Sequence, residues 1–190
     1  AVSSNGNPTY YYLQAKKAGT KFIGIDPIYN DTHSALADEW IPIRPGTDTT
    51  MLLAMAYHMI VNNLHDQEFL DKYTVGFDPE HMPEGADPKE NFKDYVLGTY
   101  DKQPKTPEWA SQICGVPVEK IRWLAQEIAT TKPAMIMTAG APARINNGEC
   151  LPQAMVTVGW MTGNVGFVGS GVGPNMHNRA ANAGGALVRA

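Results

Sequence analysis

The hydrophobic and polar positions near the start of the chain predict a helix followed by a buried strand. Residues 10–18 read as a helix that an Asn-Pro pair opens and Gly19 ends. The run KFIGI at 21–25 is short, apolar and closed by Asp-Pro, which is typical of a buried parallel strand. The stretch EWIPIR at 39–44 has a proline at its centre, so it is predicted to be an edge strand or an irregular segment.

Further along the chain, the same reasoning predicts more helices and one further strand. A PGTD turn opens an apolar helix, and Thr47 or Asp48 can cap its first turn. The predicted elements are a helix over 51–64, a small helix over 66–73, helices from Thr106-Pro107 and Val116-Pro117, a strand over 134–140 and a helix over 148–162. Helices that alternate with parallel-type strands predict an α/β fold with three layers (αβα), Rossmann-like, around a mostly parallel sheet.

Length and composition favour one globular domain. The chain has 190 residues, of which 43% are hydrophobic and 18% charged, enough for one sizeable core. We therefore expect a single domain over residues 1–190, with a surface excursion at about 77–105, where Pro, Gly and charged residues are frequent. The chain begins without Met and a polar turn leads straight into a helix, so we expect an internal segment of a larger protein.

Charge and the spacing of reactive residues exclude several classes of function. Fifteen basic and nineteen acidic residues give a formal charge of −4, so a nucleic-acid partner is not expected. Cys114 and Cys150 stand too far apart for a local iron–sulfur or structural zinc motif. His58 and His65 are seven residues apart, where a solvated or packed helix face is the better interpretation than a metal pair. Local spacing thus indicates no catalytic residue and no metal ligand.

Two acidic turns are the candidate binding residues. Ligands of open α/β sheets collect outside the carboxyl ends of the strands, where Asp26 follows a predicted strand and Asp48 precedes a helix. Asp26 can accept hydrogen bonds from ribose hydroxyls, or it can simply close an Asp-Pro turn. Asp48 can accept paired N–H groups from a guanine edge, or it can act as a helix N-terminal acid. The sequence leaves both alternatives open.

The glycine-rich run GNVGFVGSGVG at 163–173 suggests a phosphate loop at first sight. It follows a helix instead of a strand, and it lacks both G-x-G-x-x-G and G-K-[ST]. A tight connection is therefore the preferred interpretation.

Several segments resemble one family in the same order along the chain. GIDPIYNDTHSALADEWIPIRPGTD is similar to the segment DPRxTxTAxxADxWxPIRPGTDxAL of the molybdopterin oxidoreductase (dimethyl sulfoxide reductase) family. LDKYTVGFD, TPEWASQICGVPVEKIRWLAQEIATTKPA and MTGNVGFVGSGVG also resemble its catalytic subunits. The resemblance covers nearly the whole chain.

The resemblance implies a molybdopterin guanine dinucleotide-binding domain of an enzyme that carries molybdenum bound by two such dinucleotides. It implies reduction of dimethyl sulfoxide or a similar S- or N-oxide by oxygen-atom transfer, although the segment alone is not expected to be active. The implied cofactor contacts are Asp26, Pro27 and Tyr29 at the ribose and phosphate, Gly46, Thr47 and Asp48 at the guanine, and Ala141 and Arg144 in a turn facing the pterin. Ile28 replaces the family's common arginine, which weakens the expected phosphate contact.

The resemblance also has implications for the larger protein. It implies an iron–sulfur cluster in an N-terminal part, contacts with the remaining domains of the same subunit, an iron–sulfur electron-transfer subunit and a membrane anchor subunit. By family resemblance, the enzyme is expected to be exported in bacteria and associated with the outer face of the cytoplasmic membrane. The alternative is a stand-alone α/β nucleotide-sensing or interaction module without catalysis, in which Asp26 and Asp48 only stabilise turns.

Overall fold

A computed structural model describes residues 8–138 and 144–173. The described part contains eight α-helices and four short β-strands, with 3₁₀ turns at Pro79–His81 and Pro88–Glu90. The elements are α1 (Pro8–Lys17), β1 (Ile23–Ile25), α2 (Asp31–Leu36), β2 (Glu39–Ile41), α3 (Asp48–Val61), α4 (Gln67–Tyr73), α5 (Phe92–Leu97), α6 (Pro107–Cys114), α7 (Val118–Thr130), β3 (Met135–Met137), α8 (Cys150–Met161) and β4 (Gly171–Gly173).

The first four elements form a small α/β unit. β1 and β2 pair in parallel, with Ile23 opposite Glu39 and Ile25 opposite Ile41, so both predicted strands are present. β2 ends before Pro42, which has no N–H to continue the ladder. The pattern of apolar positions did not predict α2, the short helix that connects the two parallel strands.

The α2 helix depends on one capping residue and on one close packing contact. The Asn30 side chain accepts hydrogen bonds from the backbone N–H groups of Thr32 (3.0 Å) and His33 (3.3 Å). The buried His33 ring lies against β1 so closely that a Cβ at Gly24 would stand 2.3 Å from the ring carbon Cδ2. Only glycine fits β1 at that position without displacing the ring.

Helix α3 occupies the centre of the hydrophobic core. It packs against α6, α7 and α8, and its small residues Ala54 and Ala56 are fully buried, which lets neighbouring backbones approach closely. Met51, Met55 and Met59 fill the remaining space along the helix. The N-terminus of α3 is therefore fixed by a well-packed helix body.

The strands form two separate small sheets in the described residues. β3 and β4 pair in parallel, with Met135 opposite Gly171 and Met137 opposite Gly173. The fold is thus mixed α/β with small parallel sheets. The described residues do not form the continuous, mostly parallel sheet of the predicted three-layer fold. In the glycine-rich run, Gly163 has a φ of 67°, as a tight turn requires, but the end of the run is β4.

The segment predicted as a surface excursion also contributes to the core. It contains the two 3₁₀ turns and α5, and Phe77 and Val96 are 4% and 0% exposed. Asn91 is buried and caps α5 by accepting a hydrogen bond from the N–H of Asp94 at 2.8 Å. None of the described helices is long and apolar enough to span a bilayer.

Candidate functional site

The turn that opens α3 is held by its own hydrogen bonds. The backbone N–H and the hydroxyl of Thr47 donate to the carbonyl of Arg44 at 3.3 and 2.7 Å, and Gly46 has a φ of 77°. Because the Thr47 hydroxyl is used in this way, it does not cap the first turn of α3. Of the two predicted caps, Thr47 occupies the N-cap position but gives no side-chain cap, and Asp48 is the first residue of the helix.

Arg44 anchors this turn to the end of α6. Its guanidinium Nη1 donates to the carbonyls of Gln112 at 2.8 Å and Ile113 at 2.9 Å. Its backbone N–H donates to the carbonyl of Cys114 at 3.0 Å. These carbonyls lie in the last turn of the helix, where a cation is favoured by the helix dipole. The guanidinium is therefore used for structure and fixes the position of Asp48.

Asp48 has a half-buried carboxylate at the start of α3. Burial raises the pKa of Asp48, a hydrogen bond from its own backbone opposes that rise, and the negative charge of Asp26 adds to it. No Lys, Arg or His lies within ion-pair distance of its carboxylate in residues 8–138 and 144–173. A partly desolvated acid in this state can form strong charge-assisted bonds with N–H donors of a ligand.

An open cleft lies in front of Asp48. Its volume is about 210 Å³, which is below the roughly 300–1,000 Å³ of complete small-molecule pockets, so it fits one end of a larger ligand. One wall is the start of α3 and the other is the turn that leads into α8. The lining residues are Gly46, Asp48, Thr49, Ile145, Asn146, Asn147, Gly148, Cys150 and Leu151.

The second wall is a tight turn with polar side chains. Asn147 has a φ of 57°, a left-handed conformation that asparagine tolerates better than most residues. The N–H of Gly148 donates to the carbonyl of Ile145 at 3.0 Å, and the N–H of Cys150 donates to the carbonyl of Asn147 at 3.1 Å. A Cβ at Gly46 would stand 3.2 Å from Ile145 Cδ1, so the two walls nearly touch at that point.

Asp26 closes its own turn with one carboxylate oxygen. Its Oδ1 accepts the N–H of Ile28 at 2.8 Å, and its carbonyl accepts Trp40 Nε1–H at 3.0 Å. The local-turn alternative for Asp26 therefore has a direct structural counterpart. In the described part of the chain, Oδ2 has no hydrogen-bond partner, so it can still accept a hydrogen bond from a ligand.

The residues that follow Asp26 form an exposed aromatic surface. The Tyr29 ring stacks against His33 with a centroid distance of 6.0 Å and meets Trp40 edge-on at 5.4 Å. Tyr29 is 55% exposed and Ile28 is 69% exposed, and Pro27 is also exposed. An arginine at position 28 is absent, so this turn offers apolar and aromatic contacts in place of a guanidinium.

The predicted site residues fall into three groups. Gly46 and Asp48 line the cleft, and Thr47 lies between them in the turn. Asp26, Pro27 and Tyr29 lie on the neighbouring turn, and the negative charge of Asp26 raises the pKa of Asp48. Arg144 is exposed directly before the cleft residue Ile145, and Ala141 lies outside the described residues.

The sequence predicted that the turn AGAPARINNGE at 139–149 faces the cofactor, and its residues 145–148 line the cleft, although Thr49, Asn146 and Asn147 were not named individually. The Asn-Asn-Gly run at 146–148 has the composition of a tight turn. Both cysteines are free: Cys114 is buried, which raises the pKa of its thiol, and exposed Cys150 lines the cleft.

His58 and His65 make separate contacts, and only His58 lies in α3, because the helix ends at Val61 and not at the predicted residue 64. His58 bonds to Asn62, with its Nδ1 3.2 Å from Nδ2 of the amide, and burial lowers its pKa. His65 contacts the carbonyl of Met59 at 3.4 Å and Gln67 Oε1 at 3.0 Å.

Comparison with known proteins identifies relatives along nearly the whole chain. The sequence is 49% identical over 172 residues to dimethyl sulfoxide reductase DmsA of both Haemophilus influenzae and Escherichia coli, which covers 90% of this chain and 21% of each relative. It is 36% identical to the trimethylamine-N-oxide reductase of H. influenzae, over 93% of this chain and 20% of that protein. The chain therefore spans about a fifth of the length of these relatives.

A solved structure and a family profile agree with these relatives. Acetylene hydratase from Pelobacter acetylenicus is similar in structure, with a TM-score of 0.63 and 28% sequence identity, over 82% of this chain and 19% of that one. The profile described as "Molybdopterin oxidoreductase" matches residues 4–189. The chain thus belongs to the molybdopterin oxidoreductase family.

Proposed function

We propose that this chain is a molybdopterin guanine dinucleotide-binding domain of a molybdenum-dependent oxidoreductase. The observation that carries the proposal is Asp48, a half-buried carboxylate at the edge of an open cleft that forms no ion pair within the part of the chain that the structure describes. Family membership supplies the cofactor class, and the cleft supplies a place for one end of it. In the complete protein the two small parallel sheets become part of a three-layer, Rossmann-like domain.

The chemistry of the cleft fits a guanine base. Guanine presents adjacent N–H donors on one edge, and a carboxylate is the natural double acceptor for such a pair. Asp48 supplies that carboxylate. Gly46 and Thr47 shape the turn beside it, and the first-turn amides of α3 lack a side-chain cap from Thr47. A base that enters the cleft replaces the hydrogen bonds to water that burial has already weakened at Asp48.

The remaining predicted contacts extend along the dinucleotide. Within the described residues, Asp26 Oδ2 accepts no hydrogen bond, so it is assigned to a ribose hydroxyl, and Pro27 and Tyr29 present an exposed surface beside it. Ala141 and Arg144 are assigned to the pterin end, where an exposed arginine suits a phosphate or a pterin carbonyl.

The redox chemistry belongs to the cofactor. When bound, the molybdenum and its pterins supply two-electron transfer together with oxygen-atom transfer. The residues of this chain contribute binding, orientation and the exclusion of water from one arm of the dinucleotide. The full-length protein is proposed to reduce dimethyl sulfoxide or a similar S- or N-oxide, because relatives named for both substrates match the chain.

The assembly proposed for the full-length protein follows from the same family. It includes the other domains of the subunit, with an iron–sulfur cluster, an iron–sulfur electron-transfer subunit and a membrane anchor. Its proposed location is the outer face of the bacterial cytoplasmic membrane.

Analysis of the purified full-length protein tests the proposal. We expect molybdenum by elemental analysis, guanosine monophosphate released by acid hydrolysis, and oxidation of a reduced viologen dye when dimethyl sulfoxide or trimethylamine N-oxide is added. A protein from anaerobically grown, molybdate-fed cells that contains neither molybdenum nor guanine would contradict the proposal and favour the stand-alone module. A cytosine nucleotide in place of guanine would exclude the role assigned to Asp48.

A further inference from the structure

A cluster of one histidine and two aspartates lies apart from the cleft, between α4 and the 3₁₀ turn that follows it. His81 Nδ1 is 2.6 Å from Asp78 Oδ1 and 3.6 Å from Asp71 Oδ1. One ligand atom from each residue lies within 4.8 Å of the other two. We propose that Asp71, Asp78 and His81 form a binding site for a divalent transition-metal ion of the zinc type.

The separations suit a tetrahedral ion. Zinc binds imidazole nitrogen and carboxylate oxygen at about 2.0–2.2 Å, which places neighbouring ligand atoms of a tetrahedron about 3.3 Å apart. The two measured separations from His81 Nδ1, 2.6 and 3.6 Å, lie on either side of that value. His81 Nδ1 therefore lies at about the separation from both carboxylates that zinc ligation requires.

The local charge favours a dication over the proton that His81 can carry. Asp71 and Asp78 bring two negative charges, and the charge of Glu80 also acts on His81. In residues 8–138 and 144–173, His81 is the one cationic group within 4.0 Å of either aspartate. Even with His81 protonated, the cluster has an excess of negative charge, which a divalent ion offsets more completely.

A second layer of hydrogen bonds already orients the carboxylates. Gln67 Nε2 donates to Asp71 Oδ1 at 2.6 Å and to Asp78 Oδ2 at 2.9 Å. The other end of the same amide, Oε1, lies 3.0 Å from His65 Nε2. Metal sites commonly use such outer partners to fix the orientation of their ligands.

Burial divides the cluster into an anchored ligand and two accessible ones. The Asp78 side chain is 6% exposed, whereas those of His81 and Asp71 are 36% and 43% exposed. An ion can thus enter from solvent and keep water in its fourth position.

The site is independent of the cofactor cleft, so its test does not depend on the proposed function. The experiment is calorimetric titration of zinc into the full-length protein, first freed of loosely bound metal on a chelating resin. Variants His81→Ala and Asp71→Asn remove one ligand each, and His58→Ala is the control that removes a histidine elsewhere. Thermal melting of every variant checks the fold. If His81→Ala proves unstable, Asp71→Asn decides the test, because Asp71 is exposed and its substitution should leave the fold intact.

We expect wild type and His58→Ala to take up one more zinc than His81→Ala. Asp71→Asn should bind that zinc at least about 10-fold more weakly, since even loss of an outer-layer partner weakens metal sites by 10- to 100-fold. Equal zinc binding by wild type and both ligand variants would overturn the proposal. So would the absence of any zinc uptake by the wild type up to millimolar concentration.

Discussion

Replacing Asp48 with asparagine separates its binding role from a structural one. Asparagine has nearly the same shape, but it presents one acceptor and one donor where the carboxylate presents two acceptors. If guanine donates two N–H groups to Asp48, the variant sets a donor against a donor. The loss of a charge-assisted pair costs about 2–4 kcal/mol, or roughly 30- to 1000-fold in cofactor affinity.

The stability of the apo protein should change in the opposite direction. The folded-state pKa of Asp48 is raised above its usual value of 3.8, mainly by burial. A raised pKa means that the fold favours the protonated acid. The stability that protonation contributes is complete below the usual pKa of 3.8 and is lost as the pH rises through the higher folded-state pKa. At neutral pH the ionised carboxylate of the wild type therefore lowers the stability of the fold. The neutral side chain of Asp48→Asn removes this cost, so the variant should melt at the same temperature or slightly higher.

The assay compares full-length wild type, Asp48→Asn and the control Asp31→Asn, which alters an exposed acid in the first turn of α2. Molybdenum and guanine per chain are measured after purification and dialysis, and melting of the apo form is followed from acidic to neutral pH. We expect Asp48→Asn to lose cofactor while Asp31→Asn retains it. Unchanged cofactor with a less stable apo form would refute the guanine assignment and leave Asp48 as a helix-terminal acid.

Other substitutions test the remaining parts of the site and the fold. Gly46→Ala should destabilise the protein by about 1 kcal/mol in chemical denaturation, because Gly46 has a φ of 77° and the new Cβ would stand 3.2 Å from Ile145; unchanged stability would contradict the strain. Asp26→Asn keeps an acceptor for its turn, so stability should change by less than about 0.5 kcal/mol while cofactor content falls; full cofactor content would remove the ribose role. Asn164→Ala should cost about 2–4 kcal/mol, because Asn164 is 2% exposed and accepts the N–H of Ala134 at 2.9 Å; a loss below about 1 kcal/mol would show that water replaces the amide. The isolated chain should bind GMP with at best high-micromolar affinity by calorimetry, because the cleft of about 210 Å³ is only part of a pocket; nanomolar binding would contradict the split site.

The elements predicted from sequence are those with strong local signals. Thr106 caps α6 by accepting the N–H of Trp109 at 3.2 Å, and Pro107 occupies the first turn, as the Thr-Pro pair indicated. β1 and α3 were visible as continuous apolar runs. In contrast, α2 has six residues and depends on the packing of His33 against β1, and β4 consists of Gly171-Val172-Gly173, whose strand conformation depends on pairing with β3. Tertiary contacts of this kind leave no periodic pattern in the sequence.

The sequence predicted the segments that form the candidate site more fully than the individual residues that line it. The rule that ligands lie at the carboxyl ends of strands and at helix N-termini points to Asp26 and Asp48, because both follow or precede a recognisable element. The facing wall comes from a loop whose approach to Gly46 depends on how α8 packs on the core. The turn at 139–149 was predicted to face the cofactor, but nothing in the sequence singled out Asn146 and Asn147 within it.

The use of Arg44 supports a binding role for Asp48 over a purely structural one. Both side chains act electrostatically on the same thiol, that of Cys114, so they lie in one neighbourhood. The Nη1 of Arg44 donates to two helix-terminal carbonyls, at 2.8 and 2.9 Å, and Arg44 forms no ion pair with Asp48 in the described residues. Asp48 also faces the charge of Asp26, which raises its pKa further. An acid that lies beside a like charge at the edge of a cleft, and that forms no ion pair in the described residues, lowers the stability of the empty fold. Hydrogen bonds from the N–H donors of a ligand restore that stability.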